Sequence, residues 1–155
     1  MKFKIICVLS LAGLLCCDNI KNDVDESRVA GQLEGTWQLR SGTIIEKDDT
    51  TVTEYSKKQS MIKIINKTHF AFLNHDLKKG KDSTALFAAG GGVYTLDGDQ
   101  YTEYLEYCSA REWEGNTFQF TVKVSGDTLR QSGTEKIENL GIERMNIEIY
   151  TRVED

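Results

Sequence analysis

Leu33-Glu34-Gly35-Thr36-Trp37-Gln38-Leu39 is the stretch on which the reading of this chain turns. It places a tryptophan at the start of the first strand of a long antiparallel meander, where the indole would act as a plug. The chain contains no proline. From Gly35 onward, short strand-like runs recur with turn residues between them, which is the pattern of an all-β domain. Strands are expected near 35–43, 49–56, 60–65, 68–74, 86–96, 100–108, 116–124, 127–135 and 144–153. Asn66-Lys67 makes a tight turn, and Asp97-Gly98 and Gly126-Asp127 supply the positive φ that hairpins need. Hairpins joined this closely favour a meander over a Greek key.

Side chains alternate across a strand, so each run also predicts a buried face. Phe118, Phe120, Val122 and Val124 oppose Thr117, Gln119, Thr121 and Lys123. By the same rule Met145, Ile147, Ile149 and Val153 are expected inside, with Asn146, Glu148, Tyr150 and Arg152 outside. A sandwich would alternate in the same way, so closure of a barrel rests on the meander, the strand count and a resemblance given below. Two segments depart from regularity. DLKKGKDS, from Asp76 to Ser83, reads as a charged, solvated connection. CSAREWEG, from Cys108 to Gly115, is expected to hold a helical turn, with Trp113 as a rim contact or a second plug.

Upstream of the meander, Met1-Lys2-Phe3-Lys4 and the apolar run Ile5 to Leu15 form the n- and h-regions of a signal peptide, too short to span a bilayer as a helix. Leu14-Leu15-Cys16-Cys17-Asp18 resembles the bacterial lipobox with Cys17 as the acylated residue and Cys16 as the alternative. The expected division is a lipoprotein signal peptide at 1–16, a tether and short helix at 17–32, and one domain at 33–155. The location that follows is the bacterial cell envelope, lipid-anchored to a membrane, with the domain in the periplasm or at the cell surface. Several acyl chains on one cysteine would hold it there stably. Cys108 is then the one cysteine left in the domain, which excludes an internal disulfide.

The formal charge is −5 over 155 residues, and removing Lys2 and Lys4 with the leader makes it −7. That balance argues against nucleic acid, whose phosphates need clustered lysine and arginine. No cofactor motif or metal-ligand spacing occurs. Gly90-Gly91-Gly92 lacks the Gly-Lys-Ser/Thr of a phosphate loop and is expected to permit a bend or bulge. His69 and His75 share a face too far apart to hold one metal.

Gly35-Thr36-Trp37 resembles the opening of lipocalins and their calycin relatives, in which the tryptophan closes the bottom of a small up-and-down barrel. MIKIINKTHFAFLNHDLKKGKDST (61–84), GGGVYTLDGDQYTEYLEYC (90–108) and REWEGNTFQFTVKV (111–124) are similar to lipocalin-like domains of unknown function found in small bacterial lipoproteins. The resemblance covers nearly all of Leu33 to Val153. It implies a single antiparallel, up-and-down, calycin/lipocalin-like β-barrel of about 8–10 strands with a short N-terminal helix, and it assigns no reaction or ligand. It also implies a late-strand arginine over the opening tryptophan, either Arg152 or Arg144, so Trp37 and Arg152 are the expected structural pair.

Candidate chemistry sits in Val93-Tyr94-Thr95-Leu96 and Tyr101 to Tyr107. With a loop at 97–100, Leu96 faces Tyr101 and Tyr94 faces Glu103, which puts Tyr94, Glu103 and Tyr107 on the Leu96/Leu105 face. A carboxylate and two phenols inside a barrel would form the polar end of a ligand pocket. A register shifted by one would turn Tyr104 and Glu106 inward instead. The expected function is binding of a small hydrophobic or amphipathic ligand by a monomer held to the membrane through its lipid. The rivals are an interaction module with a filled barrel and an enzyme using Glu103 or Glu106.

Overall fold

The computed structural model describes residues 31–154. The signal peptide, Cys17 and the tether lie outside the described residues, as does most of the expected lead-in helix, of which residues 31–33 are helical. Nine antiparallel strands follow: β1 (Gly35–Glu46), β2 (Asp49–Glu54), β3 (Gln59–Ile65), β4 (His69–Asp76), β5 (Phe87–Asp97), β6 (Gln100–Cys108), β7 (Thr117–Ser125), β8 (Thr128–Ile137) and β9 (Ile142–Arg152). All nine coincide with expected strands to within a few residues. Gly98 and Gly126 take φ of 60° and 56° at their hairpin turns, as the turn chemistry requires.

Pairing of β1 with β9 closes β1 and β3 through β9 into an eight-stranded up-and-down barrel. β1 is long enough to serve two neighbours on its other edge. Gly35 to Gln38 pair with β3, whereas Ser41 to Glu46 pair with β2. β2 therefore takes the place of β3 beside the half of β1 away from Trp37, and that half keeps its pairing with β9 on the other edge.

The Trp37 end of the barrel is closed by one device built from three residues. Trp37 is fully buried, and its indole Nε1 donates to the Leu33 carbonyl at 2.8 Å. The Arg152 guanidinium lies 4.1 Å above the Trp37 ring, a cation–π stack, and donates to the Glu34 and Gln32 carbonyls at 2.8 and 2.5 Å. Gly35 has φ of 139°, and a Cβ there would strike Arg152 Nη1. The glycine two residues before the tryptophan is what lets the arginine in.

β7 buries Phe118, Phe120 and Val122 and exposes the alternate positions, as expected. β9 does the reverse of the expectation. Asn146 and Tyr150 are buried while Met145 and Val153 are exposed, so the polar face with Glu148 looks into the barrel. Register imposes this, because Tyr150 pairs with Leu39 on β1 and Leu129 on β8, both fully buried.

The triple glycine is the site of a bulge. Gly91 pairs with Tyr107 but Gly92 pairs with Leu105, leaving Glu106 as the extra residue. A Cβ at Gly92 would collide with the Tyr104 carbonyl, so only glycine permits the two backbones to approach this closely. In the 77–86 connection, the Asp76 carboxylate accepts from Gly80 N and Leu86 N at 3.0 Å each. Those amides hold its pKa below the usual carboxylate value. The charged connection is thus organised around an acidic residue at the end of β4.

Candidate functional site

Inside the barrel is a cavity of about 440 Å³. It runs from a polar floor to Ile44, Ala88 and Ala110 at the end opposite Trp37. The apolar walls include Met61 from β3, Phe72 from β4, Leu105 from β6 and Phe118 from β7. Trp113 joins them from the 3-10 turn Arg111–Trp113. Trp113 packs 5.9 Å from the Phe118 ring and lies under the Arg144 guanidinium at 5.2 Å. Each tryptophan of the chain therefore carries its own arginine, Arg152 over Trp37 at the closed end and Arg144 over Trp113 at the cavity.

The floor is organised by Lys63, which alternation places inward between Met61 and Ile65. Its side chain is 3% exposed. The ammonium donates to Glu103 Oε1 at 2.5 Å and Gln131 Oε1 at 2.8 Å, and it stands 5.5 to 5.8 Å from the rings of Phe70, Tyr101 and Tyr150. Burial of two charges is tolerable only when they are paired and hydrogen-bonded, and here both conditions hold. A second pair lies higher in the cavity, where Arg144 Nε donates to Glu135 Oε2 at 2.7 Å and Asn146 Nδ2 donates to Glu135 Oε1 at 2.8 Å.

Glu148 is the carboxylate left over. It lines the cavity opposite Gln131. Among the described residues its hydrogen-bond donor is the Tyr150 hydroxyl, at 2.8 Å, and it has no ion-pair partner there. Burial raises its pKa, with Lys63 and Tyr150 opposing and the charges of Glu103 and Glu135 adding to the rise. The sign follows directly: the folded state keeps this proton to higher pH than the unfolded chain. The associated stability is present below the unfolded value and lost as pH rises through the folded one. Burial, then the Glu148 charge, also pushes up the Tyr150 hydroxyl. The Tyr55 hydroxyl, on the cavity wall, is raised in the same order.

Glu103 is inside, 7% exposed, and pairs with Tyr94 in the expected register. The two expected phenols are elsewhere. The bulge at Glu106 changes the parity of β6, so Tyr107 is 68% exposed on the outer wall. Tyr94 stays inward but below the floor. Its ring packs 5.0 Å from Tyr101 and its hydroxyl donates to the Asn66 carbonyl at 2.8 Å, so it does not line the cavity. Glu106 and Tyr104 also face outward. The phenol that donates to a cavity carboxylate is Tyr150, which the apolar reading of β9 had placed outside.

Lys63, Gln131 and Glu148 were not foreseen as site residues. Lys63 did leave a signal, a cation on the buried parity of the apolar run Met61 to Ile65. Glu148 left none, because its own strand supplies a more apolar opposite face. Cys108 lines the cavity as a free thiol. His69 and His75 are exposed on the outside of β4, and no cluster of three metal-ligating side chains occurs among the described residues. No family model, no curated protein and no solved structure matches this chain.

Proposed function

We propose that this chain is a membrane-anchored lipoprotein whose barrel binds a small, partly apolar molecule. The observation that carries the binding reading is the cavity of about 440 Å³. It falls within the roughly 300–1,000 Å³ of small-molecule sites, which pair apolar walls with a few placed polar groups. The closed antiparallel barrel is consistent with a lipocalin-like fold. An interaction module with a filled barrel would leave no such space. For an enzyme, Glu103 is an awkward acid or base because Lys63 and Gln131 already hold the Lys63–Glu103 pair in place, and Glu106 is outside.

Calorimetric titration of the full chain in detergent with neutral 2-naphthylmethanol, against a micelle blank, tests the binding reading. A ligand of this size in a preformed apolar pocket should bind with Kd on the order of 100 μM. Absence of saturable heat with this alcohol and with the matching amine and carboxylate would sink the reading. The anchor is tested separately. Cys17→Ser should leave an unprocessed or soluble chain, and a variant that still enters the detergent phase with the acylated mass would show Cys17 is not the modified residue.

A further inference from the structure

Among the cavity-lining residues, three carboxylates, Glu103, Glu135 and Glu148, face two cations, Lys63 and Arg144. Both cations are already committed. Lys63 is bonded to Glu103 and Gln131. Arg144 is bonded to Glu135 and stacked on Trp113. The carboxylate left without a cation is therefore Glu148, which has a hydroxyl donor on one oxygen and the cavity in front of it.

Resting on the binding reading above, we propose that the ligand carries a protonated amine that pairs with Glu148, and that its apolar body lies against Met61, Phe72, Leu105, Trp113 and Phe118. A carboxylate ligand would meet like charge and find no uncommitted cation. A neutral ligand would leave Glu148 without a counter-charge. An ammonium head supplies the charge-assisted hydrogen bond that the floor lacks, in a place where water is largely replaced by protein. The aromatic walls suit either an alkyl or an aryl body.

The pH dependence distinguishes this assignment from a general preference for cations. The groups facing Glu148 are Tyr55 before β3, Lys63 on β3, Tyr101 and Glu103 on β6, Glu135 on β8, and Arg144 and Tyr150 on β9. Glu103 and Glu135 each have a bonded cation. Glu148 is the carboxylate without one, and burial raises its pKa, so it takes up a proton at higher pH than an exposed carboxylate would.

The test is calorimetry on the full chain with three probes sharing one ring system: 2-naphthylmethylamine, 2-naphthylmethanol and 2-naphthoate. At pH 8 the amine should bind roughly tenfold or more tightly than the naphthoate, as a charge-assisted hydrogen bond implies. Glu148→Gln should collapse that ratio. In the wild-type chain the amine's advantage over the alcohol should shrink as pH falls, a readout that does not depend on the variant folding. Equal binding of amine and naphthoate at pH 8 would overturn the proposal while leaving a binding barrel intact. An undiminished ratio in Glu148→Gln, or an amine advantage indifferent to pH, would overturn it as well. If none of the three binds, the binding reading itself fails.

Discussion

Trp37→Ala should lower the stability of the domain by about 3–5 kcal/mol, the cost of truncating a large buried aromatic. That is a large part of the roughly 5–15 kcal/mol that holds a typical domain folded. Three losses combine at this position. The indole is fully buried, so its removal opens a cavity that the closed end cannot fill, because β1 is held on both edges by β3 and β9. The Leu33 carbonyl loses its indole donor. Arg152 loses the ring face that covers its guanidinium, leaving only its bonds to the Glu34 and Gln32 carbonyls. Urea denaturation measures the effect, and a midpoint equal to that of the wild type would mean that Trp37 does not close the barrel.

Lys63→Met should cost a comparable amount, about 3–5 kcal/mol at neutral pH, because removing one member of a buried pair strands the other. The methionine fills much of the volume, so the loss is electrostatic. Glu103 would lose its cation, Gln131 its donor, and Glu148 the charge that offsets part of its desolvation. Glu103→Gln alone should cost less, since Lys63 would keep Gln131 and gain Glu148 as its nearest carboxylate. Adding Glu103→Gln to Lys63→Met should recover part of the loss. A double variant no more stable than Lys63→Met, measured by the same denaturation, would show that the floor is held by packing instead of by the charge pair.

The architecture was legible along the chain. Strand lengths, hairpin glycines and the close succession of turns are local properties, and they predicted nine strands in a meander. The plug role of Trp37 was expected from the resemblance carried by Gly35-Thr36-Trp37, not from its spacing alone. Even the pairing of Tyr94 with Glu103 follows from the length of the 97–100 loop, because a short turn sets the register next to it.

The interior chemistry was decided by tertiary structure, for two physical reasons. Alternation separates the two faces of a strand, but which face turns inward depends on what the interior contains. On β7 the inward residues form the apolar side of the cavity, and Phe118 and Phe120 face it. On β9 the interior is a cavity floored by Lys63 and Gln131, so Asn146, Glu148 and Tyr150 turn in, with Met145 left on the outer wall. The second reason is parity. One extra residue at Glu106, admitted because Gly92 has no side chain, reverses every position beyond it and carries Tyr107 out of the barrel. The chain by itself determined a closed meander with its plug. Only pairing around the whole ring determined that a buried lysine holds Glu103, and that Glu148 faces the cavity without a cation of its own.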